Sequence, residues 1–216
     1  MSIEQRSSEW KCGIDPTVPG LPDDEDELIW TAGQAMVSYD QGVMASDLVV
    51  MVHAARLYKA VILKMNKGTF FACDAGDDSP SERLRRALSA LDSAVPRWGQ
   101  CGAFFIEHAG IKAVVQSRST PNSLAFSFHA VSGAVPFISE TGYRSFITPR
   151  APFATLVDDA ARMWIDAILG EIKRPVMIAP NYRAQDFTAD YPWLSPDQIG
   201  GTAHFVEASG QGAFGF

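Results

Sequence analysis

The chain has 216 residues, 47% of them apolar and 20% charged, a mixture that supports one packed core and argues against a disordered polymer. Its net charge is −7, and the acids crowd at the front: residues 1–30 carry eight acids against Arg6 and Lys11, which leaves 31–216 with 16 basic and 17 acidic side chains. A body so balanced argues against a broad electrostatic footprint on nucleic acid and leaves room only for a local basic patch.

Residues 1–27 read as an extended acidic arm, punctuated by Pro16, Pro19, Gly20 and Pro22 and closed by Asp23-Asp24-Glu25-Asp26-Glu27. The arm is either a solvated leader or a contact for a basic partner. A single α+β domain is expected over 28–175. Its first helix is predicted at 46–66, with Ser46 as N-cap. At about 100° per residue, His53, Arg56, Lys59, Lys64 and Lys67 share one stripe of that helix, read as a solvated edge or an anion contact. A second helix is predicted at 80–94, because Ser79-Pro80-Ser81-Glu82 combines a capping serine, proline at the first position and glutamate at the third.

Between them and the third helix lies strand sequence. Cys101–His108, Ile111–Ser117 and Leu124–Val131 are short and alternating, and Ala109-Gly110 and Thr120-Pro121-Asn122 separate them. They predict an antiparallel meander of three to five strands, with a fourth near Thr69–Cys73, packed against about three helices. Ser132–Pro149 reads as a loop. The third helix is predicted at 152–169, on the repeat Phe153, Leu156, Val157, Ala160, Trp164, Ile168, Leu169. Val176–Ala179 is a candidate further strand. Residues 176–216 otherwise lose periodicity yet keep Tyr182, Phe187, Tyr191, Trp193 and Phe205, so they are expected to lie over the domain or onto a partner.

Chemical signatures are sparse. The chain has no Gly-x-Ser-x-Gly elbow, His-Glu-x-x-His, Walker A or EF-hand loop. Gly210-Gln-Gly212-Ala-Phe-Gly215 satisfies G-x-G-x-x-G, but only Phe216 follows where a helix is required. Four histidines and three cysteines lack the spacing of zinc ligands, so neither a metal nor a cofactor is implied. Cys12, Cys73 and Cys101 give no disulfide framework; with an N-terminus lacking the apolar run of a signal peptide and no membrane span, they predict a cytoplasmic protein with free thiols. Nothing in the sequence reports the oligomeric state.

The one dense polar cluster is Ser139-Glu140-Thr141-Gly142-Tyr143-Arg144-Ser145, placed in the loop before the third helix. Glu140, Tyr143, Arg144 and Ser145 are the candidate binding residues, although Glu140 and Arg144 can equally form a structural pair. This Ser-Glu-Thr-Gly-Tyr-Arg-Ser segment resembles one found in small uncharacterised proteins of plasmids and phages. The resemblance covers about a dozen residues and implies an accessory product of a mobile genetic element, of the kind that acts on host defence or DNA transfer. Two readings follow. One is a non-enzymatic accessory or inhibitor protein that occupies a host macromolecule, with a protein as partner and nucleic acid admitted only through a local basic patch. The other is a small hydrolase or transferase that uses Glu140, Tyr143 and Arg144.

Overall fold

The computed structural model describes residues 20–69 and 75–200. Asp24 starts the first helix, α1 (Glu25–Met44). Its carboxylate accepts from the Glu27 N–H at 3.1 Å, and Glu25, Asp26 and Glu27 fill the first turn, where the helix dipole favours anions. A three-residue turn leads to α2 (Leu48–Met65), capped by Asp47, whose Oδ1 accepts from Val49 N at 2.9 Å and Val50 N at 3.1 Å. Ser46 holds the left-handed conformation that the turn needs, at φ 57°.

The two helices close on Gly42, where a Cβ would sit 2.8 Å from Met51 Cγ and 3.0 Å from the Met51 backbone nitrogen. Helix α3 (Pro80–Leu88) then seals the far end of this hairpin. Its Leu84 is fully buried with Leu28 and Ala32 of α1 and Tyr58 and Val61 of α2.

Four antiparallel strands follow in chain order: β1 (Cys101–His108), β2 (Ile111–Arg118), β3 (Leu124–Ala130) and β4 (Tyr143–Thr148). Register puts Phe104, Val115 and Phe128 in one row and Phe126 beside Phe146 in another, all on one face. Helix α4 (Val157–Ile172) packs Ala160, Ala161, Trp164 and Ile165 against that face. Two short helices, α5 (Pro180–Arg183) and α6 (Pro196–Gly200), follow. The C-terminal segment puts Tyr182 and Phe187 against the main core, while Tyr191 and Leu194 reach the opposite face of the sheet beside Val114 and Val131.

Trp98 joins the layers. It is 1% exposed, its backbone N–H donates to Asp40 Oδ1 of α1 at 3.0 Å, and its indole N–H donates to the Thr155 carbonyl at 2.6 Å. Its ring meets Phe126 and Trp164 edge-on at 5.9 and 6.3 Å. The helical hairpin, sheet and α4 thus share a core.

The α+β architecture is the one the sequence implies, and the meander and the capped helix at Pro80 stand where the patterns put them. Several details differ. Asp24–Glu27 are not extended arm but helix cap and first turn, because acids there satisfy and complement a helix start. α1 was hidden by that reading. Asp47, not Ser46, caps α2. α3 stops at Leu88, and Leu91, within the predicted helix, is 83% exposed, since Ser89 turns extended and Ala90 N–H bonds the Cys101 carbonyl of β1. α4 begins at Val157, after the segment around Thr155 has turned to meet Trp98. The loop expected over 132–149 contains β4. Val176 makes only an isolated bridge to Phe137. The strand expected at Thr69–Cys73 and the thiols Cys12 and Cys73 fall wholly or mainly outside the described residues; within them, Cys101 is a free, buried thiol.

Candidate nucleic-acid interface

The helical unit is not cationic as a whole: residues 17–87 hold 11 acidic and seven basic side chains, a net of −4. What matters is which cations the acids neutralise. Asp23 binds Lys64, whose ammonium holds the Asp23 carboxyl below its ordinary range. Glu25 takes Arg83 through both carboxylate oxygens at 2.7 and 2.8 Å, Glu82 takes Arg85, and Arg86 meets Asp78 and the Asp77 carbonyl. Asp23 and Glu25 of the acidic stretch are thus ion-paired, Asp24 caps α1, and the arginines of α3 are engaged.

The first three turns of α2 present an exposed strip. Val49, Val52, His53, Arg56 and Lys59 are all exposed, Val49 by 79% and Val52 by 41%, and at 100° per residue they fall in an arc about 120° wide. Toward the helix C-terminus the same arc closes, because Leu21 packs over Ala60 and Leu63. The open part therefore has a defined length. Exposed apolar side chains gather at this end too: Met44, Leu48 and Val50, with Phe153 and Leu156 carried alongside by the bond from Ala154 N–H to the Val43 carbonyl at 2.9 Å. A cationic stripe beside uncovered apolar groups marks α2, rather than α3, as the face built to be covered.

The residues singled out from the sequence lie elsewhere. Tyr143, Arg144 and Ser145 open β4, and strand alternation sends Tyr143 and Ser145 to the face away from α4 while Arg144 projects on the α4 side. Glu140 precedes them; its carbonyl accepts from Ala179 N–H at 2.7 Å, and its side chain is exposed. Glu140 and Arg144 form no ion pair. Gly142 turns at φ 73°, and a side chain there would collide with the Phe187 ring. The structure therefore separates the four: Tyr143 and Ser145 share a surface, and Glu140 and Arg144 do not join it. Among the described residues no group of three or more His, Cys, Asp or Glu is arranged to hold a metal, and no helix is long and apolar enough to cross a membrane.

Residues 17–87, which run from just before α1 to the last turn of α3, match the family described as the KlcB N-terminal DNA-binding domain. The match stops before the sheet begins. Two curated proteins of Escherichia coli named Protein KlcB are each 38% identical to the chain, over 198 and 183 residues. Those alignments cover 88% and 81% of this chain and 48% and 38% of the relatives, so the chain spans half or less of the length of the proteins it resembles. No solved structure matches it.

The match overturns the ranking of partners drawn from the sequence, which set a protein first and admitted nucleic acid only through a local patch. Net charge misled because it averages over cations that acids already hold. Asp24 followed by three acids was the overlooked sign of the helix packed behind α2.

Proposed function

We propose that the protein is a non-enzymatic, cytoplasmic accessory factor of a mobile genetic element that binds double-stranded DNA through the first three turns of α2. The observation that carries this reading is the open arc of Val49, Val52, His53, Arg56 and Lys59 within the stretch similar to a DNA-binding domain. An α-helix fits the major groove, where valine methyls meet the thymine methyl and an arginine fork meets guanine or a phosphate. The α1–α2 hairpin holds the helix from behind, and α3 holds the hairpin, so the arc is presented on a rigid support. The buried free thiol of Cys101 is in keeping with a reducing compartment. The accessory role draws on the resemblance to the KlcB proteins; no described residue speaks for action on host defence.

Fluorescence anisotropy with labelled duplexes at several salt concentrations tests it. Arg56→Ala should weaken binding and lower the slope of log affinity against log salt by about 1, the value for one lost phosphate contact. Arg83→Ala removes a guanidinium already held by Glu25 and should leave the slope unchanged. Equal effects of the two variants, or wild-type binding without salt dependence, would refute the assignment.

A further inference from the structure

The face of the sheet away from α4 is only half covered. Register sets its residues in three rows across β2, β3 and β4: Val114, His129 and Tyr143; Gln116, Ser127 and Ser145; then Arg118 with Ala125 and Ile147. Tyr191 and Leu194 close the end over Val114, and the His129 ring stands edge-on between Tyr191 at 5.7 Å and Tyr143 at 5.1 Å. Beyond that contact lies an open groove of about 280 Å³, lined by Gln116, Arg118, Ser127, His129, Tyr143 and Ser145. A second depression of about 530 Å³, between α3 and the Tyr191–Trp193 segment, shares Gln116 and Arg118 with it and carries Asp77, Glu82, Asp92 and Asp190.

The lining is chemically one-sided. No carboxylate borders the smaller groove. Among the described residues the Gln116 amide, the Ser145 and Tyr143 hydroxyls and the Arg118 guanidinium have no hydrogen-bond or ion-pair partner, so an array of donors faces solvent from a rigid sheet. Burial, and then the nearby Arg118, lowers the His129 pKa against the opposing pull of Asp190. One end thus offers an aromatic pair with Tyr143 47% exposed, the floor offers the Gln116 amide and the Ser145 hydroxyl, since Ser127 Oγ is held by His129 Nε2 at 3.0 Å, and the far end offers a free guanidinium. Without carboxylates the groove suits neither a divalent cation nor a cationic ligand, and its polar floor does not suit a lipid chain.

We propose that this groove is a second nucleic-acid site, which takes a single strand with a base stacked at Tyr143 and His129 and a phosphate at Arg118. Sheets that present aromatic rings beside arginine bind unpaired bases in this way, since every base has a face to stack and an edge to hydrogen-bond. The Tyr143 and Arg118 rows lie four residues apart, about 14 Å at 3.4 Å per residue, which exceeds one nucleotide and sets a footprint of about two. The site is separate from α2 and does not depend on the duplex reading.

The test is anisotropy of labelled (dT)8 and of a labelled duplex on the same proteins. Tyr143→Ala and Arg118→Ala should each weaken (dT)8 binding about tenfold or more and leave duplex affinity unchanged. Arg56→Ala should do the reverse. Excess dTMP should displace (dT)8, whereas inorganic phosphate at the same concentration should not. Unchanged melting temperatures for the two groove variants, both altered at exposed side chains, exclude misfolding as the cause. The proposal is overturned if wild type does not bind (dT)8, if Tyr143→Ala or Arg118→Ala binds it as wild type does, or if phosphate alone displaces it. Equal losses on duplex and single strand would overturn it as well, and because α2 is read through Arg56 alone, they leave that assignment to its own test.

Discussion

Trp98→Phe is the sharpest probe of how the helical hairpin and the sheet are held together. Phenylalanine has three fewer ring atoms than tryptophan. Two are buried carbons, worth about 1.6 kcal/mol at ~0.8 kcal/mol each. The third is the indole N–H that donates to the Thr155 carbonyl at 2.6 Å, and leaving that carbonyl unpaired adds ~1–3 kcal/mol. The edge-on contacts with Phe126 and Trp164 weaken rather than vanish. The sum is about 2.6–4.6 kcal/mol, which for a chain of this size lowers the melting temperature by roughly 5–18 °C. Thermal unfolding followed by far-ultraviolet circular dichroism for the helices and by near-ultraviolet signal for the tryptophans measures both the size and the cooperativity. Because the Trp98 backbone N–H is bound to Asp40 of α1, the two signals should move together. A shift below ~2 °C, or two separate midpoints in wild type, would show that Trp98 does not join the layers.

Further expectations follow from single sites. Gly42→Ala should lower the melting temperature, because a methyl 3.0 Å from the Met51 nitrogen costs ~1–3 kcal/mol of overpacking against about 1 kcal/mol gained in helix propensity; a rise would refute the close approach. Since the folded His129 pKa is depressed, the unfolded chain binds the extra proton as pH falls below about 6.5, so acidification destabilises the protein and His129→Gln should flatten that slope between pH 7.5 and 5. Burial raises the Cys101 thiol to about 11, so alkylation at pH 8 should be slow in the native protein and fast in urea, and rapid native labelling at Cys101 would contradict its burial.

How far the sequence spoke for this fold depended on whether a local pattern had a rival. Ser79 before Pro80 has one structural meaning, and the helix starts there. Alternation in Leu124–Ala130 likewise has one, and β3 follows it. Tyr143–Thr148 lacks such alternation, and its flanking glycine, hydroxyls and proline are loop chemistry; only pairing with β3, Phe126 beside Phe146, decides for strand. Asp23–Glu27 were ambiguous in the same way, since a run of acids is either a solvated arm or a helix N-terminus, and the choice rests on Arg83 and Lys64, 58 and 41 residues away. The groove was half legible. Tyr143 and Ser145 stood out by composition, whereas Gln116, Arg118 and His129 join them only through register, which no one-dimensional pattern contains.

The outer edge of β4 carries one further consequence. Ala130 N–H bonds the Gly142 carbonyl, so the strand alternates from there, and the backbone groups of Tyr143, Ser145 and Ile147 point away from β3. At Tyr143 both groups are already taken by one hydroxyl: Thr141 Oγ1 accepts from its N–H at 3.3 Å and donates to its carbonyl at 3.0 Å. Pro149 follows Thr148 at the other end. Between a threonine that mimics a neighbouring strand and a proline that cannot donate, the open ladder is only two residues long. That is too short to template a fifth strand from another molecule. A single side-chain oxygen thus acts as a chain terminator for sheet growth, keeping an edge rich in aromatic and β-branched residues from becoming a polymerisation site while leaving its flat side free.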